Sequence, residues 1–330
     1  MGIVSSFSLR SFALVAFLVG NSFSFHFTPY KSLTSNLYNG KSRQMAAPLQ
    51  MSSRKEQFWQ AVEQSWAQKF DAGDISRVLR FEKYCKQELE VPEPIIPYHQ
   101  PCEEYVEDLE ASAFWENSRF DWVTRLEAES DMIQEEFAQY LVSVGDFKGD
   151  SAVMSAMGPG WSSVRLQRLG RWNLENCARF PKTVKLLEEL EIPLAVRGVM
   201  FARQLPGTGV QPHSDGRNFI LTAHLGIEVP EDCWIKVGGE KRTWENGKTI
   251  VFDTSFEHST FNEADTDRVV LIIDFWHPGL TPKEKEALEV VYELRNEFDS
   301  GKYIQGYATA KEKNEVTSAF DSFRNIFNKK

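Results

Sequence analysis

The stretch QPHSDGRNFILTAHLGIE, residues 211–228, joins a polar, turn-like opening to a run of alternating character. From residue 218 onward, Phe219, Leu221, Ala223, Leu225 and Ile227 share one face of an extended strand. Asn218, Ile220, Thr222, His224 and Gly226 share the other, because side chains two apart point the same way. The first face can pack on a core while the second, largely polar, lines a pocket. The opening allows two readings. His213-Ser214-Asp215 is a polar turn between strands, or it is two arms of a metal clamp, since residues i and i+2 on extended backbone can reach one ion.

Outward from this stretch, residues 192 to 277 read as short β-prone runs: Val199–Leu205, Asn218–Glu228, Trp234–Val237, Thr249–Phe252, Ser259–Asn262 and Arg268–Trp276. The turn signals PGTG, EDC, GGEK and ENGK separate them. Many short strands at close spacing indicate a sandwich, jelly roll or barrel. Upstream the texture is helical. Phe58, Val62, Trp66 and Phe70 recur at helical spacing within residues 56–90. Residues 121–143 carry a broad apolar face through Val123, Leu126, Met132, Ile133, Phe137 and Leu141. Residues 181–190 form a short helix led by Pro181, and 281–298 a longer one capped by Thr281 with Pro282 in its first turn. Four prolines break the pattern between Val91 and Pro101, and Gly145 to Ser163 reads as loop. Beyond Gly301 the tail is polar, apart from an apolar spacing at Val316, Phe320, Phe323 and Phe327.

Charge narrows the function classes. The first 55 residues hold no Asp or Glu and six basic residues, so residues 56–330 carry 31 basic against 47 acidic side chains. So acidic a body argues against a nucleic-acid partner, which needs a basic face. Cys85, Cys102, Cys177 and Cys233 form no CxxC pair and no zinc spacing, and read as buried thiols. Behind Arg10, SFALVAFLV (residues 11–19) is too short to cross a bilayer, which needs about 20 apolar residues. With Gly20-Asn21-Ser22 and Phe23 after it, it fits a signal peptide cleaved near Ser22. Residues 23–55, basic and Ser/Thr-rich without acids, have transit-peptide composition. Together they resemble a bipartite leader that directs proteins into plastids, with the secretory pathway as the second destination. The mature chain is expected to carry no stable membrane span. The expected organisation is therefore a presequence at 1–55, a helical extension and Pro-rich linker at 56–101, a catalytic domain at 102–300 and a C-terminal tail at 301–330.

A clamp begun by His213 and Asp215 needs a third ligand, and the remaining histidines are His26, His99, His224, His258 and His277. His26 lies in the leader and His99 in the proline-rich linker. His258 opens a strand after the tight segment Asp253–Glu257, and Arg268 follows ten residues later at the head of RVVLIIDFW. Two histidines and one carboxylate leave three coordination positions open on iron. A cation is what a 2-oxoglutarate co-substrate needs for its distal carboxylate. An arginine within an apolar strand is costly without such a partner, and Arg203 or Arg217 would be the substitutes.

The segments GVMFARQLPGTGVQPHSD (198–215), HLGIEVP (224–230), RTWENGKTIVFDTSFEHSTFN (242–262) and RVVLIIDFWHPGLT (268–281) together resemble the aspartyl/asparaginyl β-hydroxylase family of Fe(II)/2-oxoglutarate dioxygenases. Weaker upstream support comes from DWVTRLEAESDMIQEEF (121–137) and NCARFPKTVKLLEEL (176–190). The resemblance implies a mainly β fold with flanking helices, its core a double-stranded β-helix of jelly-roll, cupin-like form. It implies Fe(2+) as metal, 2-oxoglutarate as co-substrate and O2 as oxidant. His213 and His258 match the family's iron histidines, Arg268 its co-substrate arginine and His224 a histidine that helps hold the co-substrate. Trp244 and Asp253 match residues read as structural, one packing and one shaping the turn before His258. Asp215 stands where the animal enzymes have glycine, so this chain resembles members with a complete triad. Thr222 stands where they have a second co-substrate arginine, and is read as a co-substrate contact. Val184 replaces a cysteine near the equivalent of Cys177, so that family disulfide is not expected. The implied activity is hydroxylation of a C–H bond in an Asp/Asn-type side chain of a protein or peptide, or in a small amino-acid-like metabolite. The alternative is a non-catalytic sensor binding metal and 2-oxoglutarate on the same scaffold.

Overall fold

The computed structural model describes residues 53–147, 149, 157, 158, 160–299, 307–309 and 312–314. The leader up to residue 52, His26 and the apolar spacing in the tail lie outside them. In chain order the elements are α1 (Arg54–Lys69), α2 (Ser76–Lys86), β1 (Phe114–Trp115), α3 (Asp121–Ala128), α4 (Ser130–Val144), β2 (Trp161–Arg168), β3 (Arg171–Asn173), α5 (Leu174–Arg179) and α6 (Pro181–Glu189). Then follow β4 (Leu194–Gln204), β5 (Gly209–His213), β6 (Ile220–Glu228), β7 (Cys233–Val237), β8 (Glu240–Thr243), β9 (Thr249–Asp253), β10 (His258–Asn262), β11 (Arg268–Trp276), α7 (Pro282–Phe298) and β12 (Tyr307–Thr309).

From β4 to β11 the chain repeatedly crosses between two sheets. The larger has the order β1-β9-β6-β11-β4-β2-β3-β12 and the smaller β5-β10-β7-β8. Every pairing within them is antiparallel. Strands β4, β6, β9 and β11 sit side by side in one sheet, and the strands between them in sequence form the other. That winding is a double-stranded β-helix, a jelly roll with flanking helices, as the sequence led us to expect.

The alternation in β6 now has a physical meaning. Leu221, Ala223, Leu225 and Ile227 join Val199 and Phe201 of β4 and Leu271 and Ile273 of β11 in a core roofed by α3, α4 and α6. Thr222 and His224 face the space between the sheets. There Met200, Ala202, Val270 and Ile272 oppose Val210, Ile235 and Val237 of the smaller sheet. Phe219 departs from the alternation, since it lies in a third cluster with Ile220, Trp276 and the buried faces of α1, α2 and α7.

Three expectations need adjustment. The helix expected over 121–143 is two, because Glu129 leaves helical dihedrals (φ −101°, ψ 11°). A single 23-residue rod would run about 34 Å straight, and the break lets both Leu126 and Ile133 reach the twisted sheet with no exposure. Strand β2 begins at Trp161, inside the stretch read as loop. Its signal, WSSVRLQR, is diluted by polar residues that are nonetheless buried. Helix α1 starts at Arg54 rather than 56, because Ser53 and Glu56 form a reciprocal capping box.

The N-terminal helices are packed into the fold. Trp66 donates its indole N–H to the carbonyl of Ala287 in α7 (2.9 Å). Phe81 has no exposure and meets Phe219 edge to face at 5.6 Å. Phe81→Ala is expected to cost about 3–5 kcal/mol, the usual range for emptying such a site. Denaturant unfolding of the two proteins reads this difference directly. A cost under about 1 kcal/mol would mean that this helical layer unfolds apart from the β-domain. Among the described residues, no helix is long and apolar enough to cross a membrane.

Candidate functional site

The ladder between β5 and β10 places His213 directly opposite His258. Their ring centroids are 4.2 Å apart. The Nδ1 of His213 lies 2.8 Å from the carbonyl of Gln211, and that of His258 lies 2.9 Å from the carbonyl of Phe256. A carbonyl only accepts, so both Nδ1 atoms carry the proton and donate. Nε2 of each ring is therefore the nitrogen left for another partner, the usual way a protein orients metal-binding imidazoles. His258 is buried and is pushed down to about 4, by burial first and then by the neighbouring His213. It is neutral at pH 7 and ready to ligate.

Asp215 reaches the same point from the loop after β5. Its backbone N–H donates to Thr254 (2.9 Å), and the Ser214 hydroxyl donates to the carbonyl of Ser255 (3.0 Å). The HxD loop is thus stitched to the loop that delivers His258. An outer strap locks both: Glu257 donates to Tyr98 (2.9 Å), Gln100 to Ser255 (3.1 Å), and Glu104 to Gly216 (3.0 Å). The proline-rich arm therefore buttresses the site. Ligand atoms of His213, Asp215 and His258 all lie within 4.8 Å of one another. Two imidazole nitrogens and a carboxylate oxygen suit a divalent transition metal, and the arrangement fits a facial site with open positions.

The Asp215 carboxyl is held below the ordinary carboxylate range. Burial alone would raise it, but the charge of Arg197 and then the two imidazoles outweigh burial. Arg197, on β4, ion-pairs with Asp215 Oδ2, and its Nε lies 2.8 Å from Oδ2 of Asp274. Thr222 closes this network, donating to Asp274 (2.6 Å) and accepting from Arg197 (3.3 Å). The Thr222 hydroxyl faces the cavity as expected, yet its proton is spent on Asp274. Its direct tie is to the carboxylate network.

A cavity of about 130 Å³ opens beside the three ligands, lined also by Thr222, His224, Arg268 and, on its apolar side, Trp161, Met200 and Val210. Arg268 is buried at the head of β11. It donates to Gln204 Oε1 (2.9 Å) and lies 4.6 Å over the Trp244 ring. Its Nε has no hydrogen-bond partner, and no described carboxylate pairs with it. Burial pushes it down to about 10, so it stays a cation at neutral pH. His224 stacks on the same Trp244 at 5.9 Å. Burial first, and then the charge of Arg268, keep it neutral. A buried guanidinium whose only described acceptor is an amide is poised for an anionic ligand. Trp244 packs as expected, and the surfaces it packs are those of Arg268 and His224.

The other candidates fall outside. Arg203 pairs with Asp146 and Asp267, and Arg217 with Glu104. His99 stacks on Phe256 at 4.7 Å. His277 is held by the carbonyl of Glu110 and the N–H of Gly279, both at 2.9 Å. All four cysteines are free thiols, Cys177 among them.

Asp253 shapes its turn by accepting from the N–H (2.9 Å) and hydroxyl (2.6 Å) of Ser255. Burial nevertheless raises its carboxyl to about 7 from 3.8. The folded metal-free protein therefore holds a proton that the unfolded chain releases, so this group's stabilisation falls as pH rises from 3.8 to about 7. Asp253→Asn should remove a slope of up to about 1.4 kcal/mol per pH unit. Urea unfolding of both metal-free proteins across that range tests this, and parallel pH curves would contradict it.

Residues 127–278 match the family model described as Aspartyl/Asparaginyl beta-hydroxylase. The mouse protein named aspartyl/asparaginyl beta-hydroxylase is 40% identical over 134 residues, covering 40% of this chain and 18% of that protein. Human aspartate beta-hydroxylase domain-containing protein 2 is 34% identical over 138 residues, covering 40% of this chain and 37% of its own length. Mouse aspartate beta-hydroxylase domain-containing protein 1 is 28% identical over 176 residues, covering 49% of each. The chain thus spans from under a fifth to about half of these relatives.

Proposed function

We propose, from the premise that this chain belongs through residues 127–278 to the aspartyl/asparaginyl β-hydroxylase family, that it is an Fe(II)/2-oxoglutarate-dependent hydroxylase. The observation that carries the reading is a coincidence in one cavity. A two-histidine, one-carboxylate cluster lies at its edge, and a buried guanidinium without a carboxylate partner lines it. When bound, iron and 2-oxoglutarate supply oxidation by O2, in which decarboxylation to succinate and CO2 accompanies transfer of one oxygen atom into a substrate C–H bond.

The residues divide the work. His213 and His258 would present their Nε2 atoms to the ion, and Asp215 one oxygen. Arg268 binds the distal carboxylate of 2-oxoglutarate with its fork, stiffened by Gln204 and Trp244. His224, neutral and with a buried Nδ1 that lacks a partner, offers a polar contact to the same molecule. Trp161, Met200 and Val210 limit water on the remaining side. The substrate is an Asp/Asn-type side chain of a protein or peptide, or a small amino-acid-like metabolite.

Incubating the purified chain with Fe(II), 2-oxoglutarate and a library of peptides and amino-acid-like metabolites tests this proposal. The expected product is one oxygen atom heavier and forms only with 2-oxoglutarate present. A product that forms equally without 2-oxoglutarate would sink the co-substrate assignment. Asp215→Gly should weaken Fe(II) binding on the order of tenfold or more while the protein stays folded. Unchanged affinity would remove Asp215 from the ligand set.

A further inference from the structure

We infer that Arg197 is a positioning residue for the metal site, fixing the Asp215 carboxylate so that one oxygen is bound to the protein and the other is presented to the ion. The inference rests on the metal-site reading above and adds a residue that the resemblance did not bring in.

The geometry is a relay of charge. Arg197 is tied to Asp274 by one hydrogen bond, from a terminal nitrogen to Oδ1 at 3.1 Å, while its Nε lies 2.8 Å from Oδ2 as an ion pair without hydrogen-bond alignment. Asp274 is fully buried in the middle of β11, and Thr222 donates to it at 2.6 Å. The guanidinium plane is therefore set by two neighbouring strands, and its last nitrogen delivers an ion pair to Asp215 Oδ2. That leaves Oδ1, which lies 3.9 Å from His213 Nε2, on the side of the histidines. A planar fork can hold two carboxylates at once, whereas a lysine ammonium cannot reproduce that geometry.

Two consequences separate this role from simple packing. Arg197 acts on the metal only through Asp215, so its effect on metal affinity must disappear once Asp215 is gone. Its charge is also committed to two carboxylates, which leaves Arg268 to receive an anionic ligand.

The test is a double-mutant cycle read by titrating the full chain with Co(II) alone, following the visible absorption of the bound ion. Removing Arg197 alone would strand a buried Asp274 charge and endanger folding. The cycle therefore uses the charge-balanced pair Arg197→Gln with Asp274→Asn, alongside Arg197→Lys. Far-UV circular dichroism and thermal unfolding monitor the fold. In the wild-type background the charge-balanced pair should weaken Co(II) binding by about 10- to 100-fold and alter the spectrum. Arg197→Lys should recover only part of that loss. In the Asp215→Gly background the same pair should change affinity by less than about twofold. Either of two results overturns the inference while leaving the metal site standing: wild-type affinity in the folded charge-balanced protein, or an equal loss in both backgrounds. Failure of the wild-type chain to take up Co(II), or wild-type uptake by His213→Ala, overturns the metal-site reading and the inference with it.

Discussion

His258→Ala is expected to abolish stoichiometric Fe(II) uptake, with a loss of more than about 100-fold in affinity, larger than the usual effect of a supporting residue. The reasons lie in the ladder. His258 opposes His213 at the point where β5 and β10 meet, and its Nδ1–H is tied to Phe256 so that Nε2 faces the cluster. Without it, one imidazole and one carboxylate remain, and that carboxylate is already shared with Arg197. The ring is buried but lines a cavity, so its removal extends an existing space instead of opening a sealed one. The variant should therefore keep the native circular dichroism spectrum and unfold cooperatively. Metal content after Fe(II) loading and desalting under nitrogen reads the effect. Uptake of one iron per chain by His258→Ala at wild-type affinity would remove His258 from the ligand set.

Arg268→Met is expected to leave Fe(II) binding intact and raise the 2-oxoglutarate requirement by roughly 30-fold to several thousand-fold. This corresponds to the 2–5 kcal/mol typical of truncating one partner of a buried charge pair. Methionine keeps apolar bulk against Trp244, 4.6 Å from the guanidinium in the native protein. It also removes a buried charge that has no carboxylate partner of its own, so stability should hold or improve. Succinate formation measured against 2-oxoglutarate concentration gives the result. A normal requirement would move the carboxylate clamp elsewhere. The other named candidates, Arg203 and Arg217, already pair with Asp146, Asp267 and Glu104.

How much of this could be read from the chain depended on the range of the forces involved. The β6 alternation is local, and it survives in the fold from Leu221 onward. The pattern singles out His213, Asp215 and His258, and the structure adds what no pattern carries, the direct register of the two histidines. Arg197, Asp274 and Gln204 escaped notice because their partners are distant in sequence. A signal was nonetheless present. Arg197 interrupts LAVRGVMFA and Asp274 interrupts RVVLIIDFW. A charge in an apolar strand needs a partner, and that holds for Arg197 and Asp274 as it does for Arg268. Thr222 lines the cavity, and its commitment to Asp274 depends on a cross-strand neighbour that the sequence does not reveal. The strap from Tyr98 to Glu104 was hidden by its prolines, which announce an extended arm and say nothing about what it lies against.

The most direct measurement is succinate production from 2-oxoglutarate by the purified chain, with and without added Fe(II), beside His213→Ala. The account predicts slow succinate formation that requires Fe(II) and is lost in the variant. Tight binding of Fe(II) and 2-oxoglutarate without any succinate, even in the presence of candidate substrates, would contradict it and indicate a sensor built on the same scaffold.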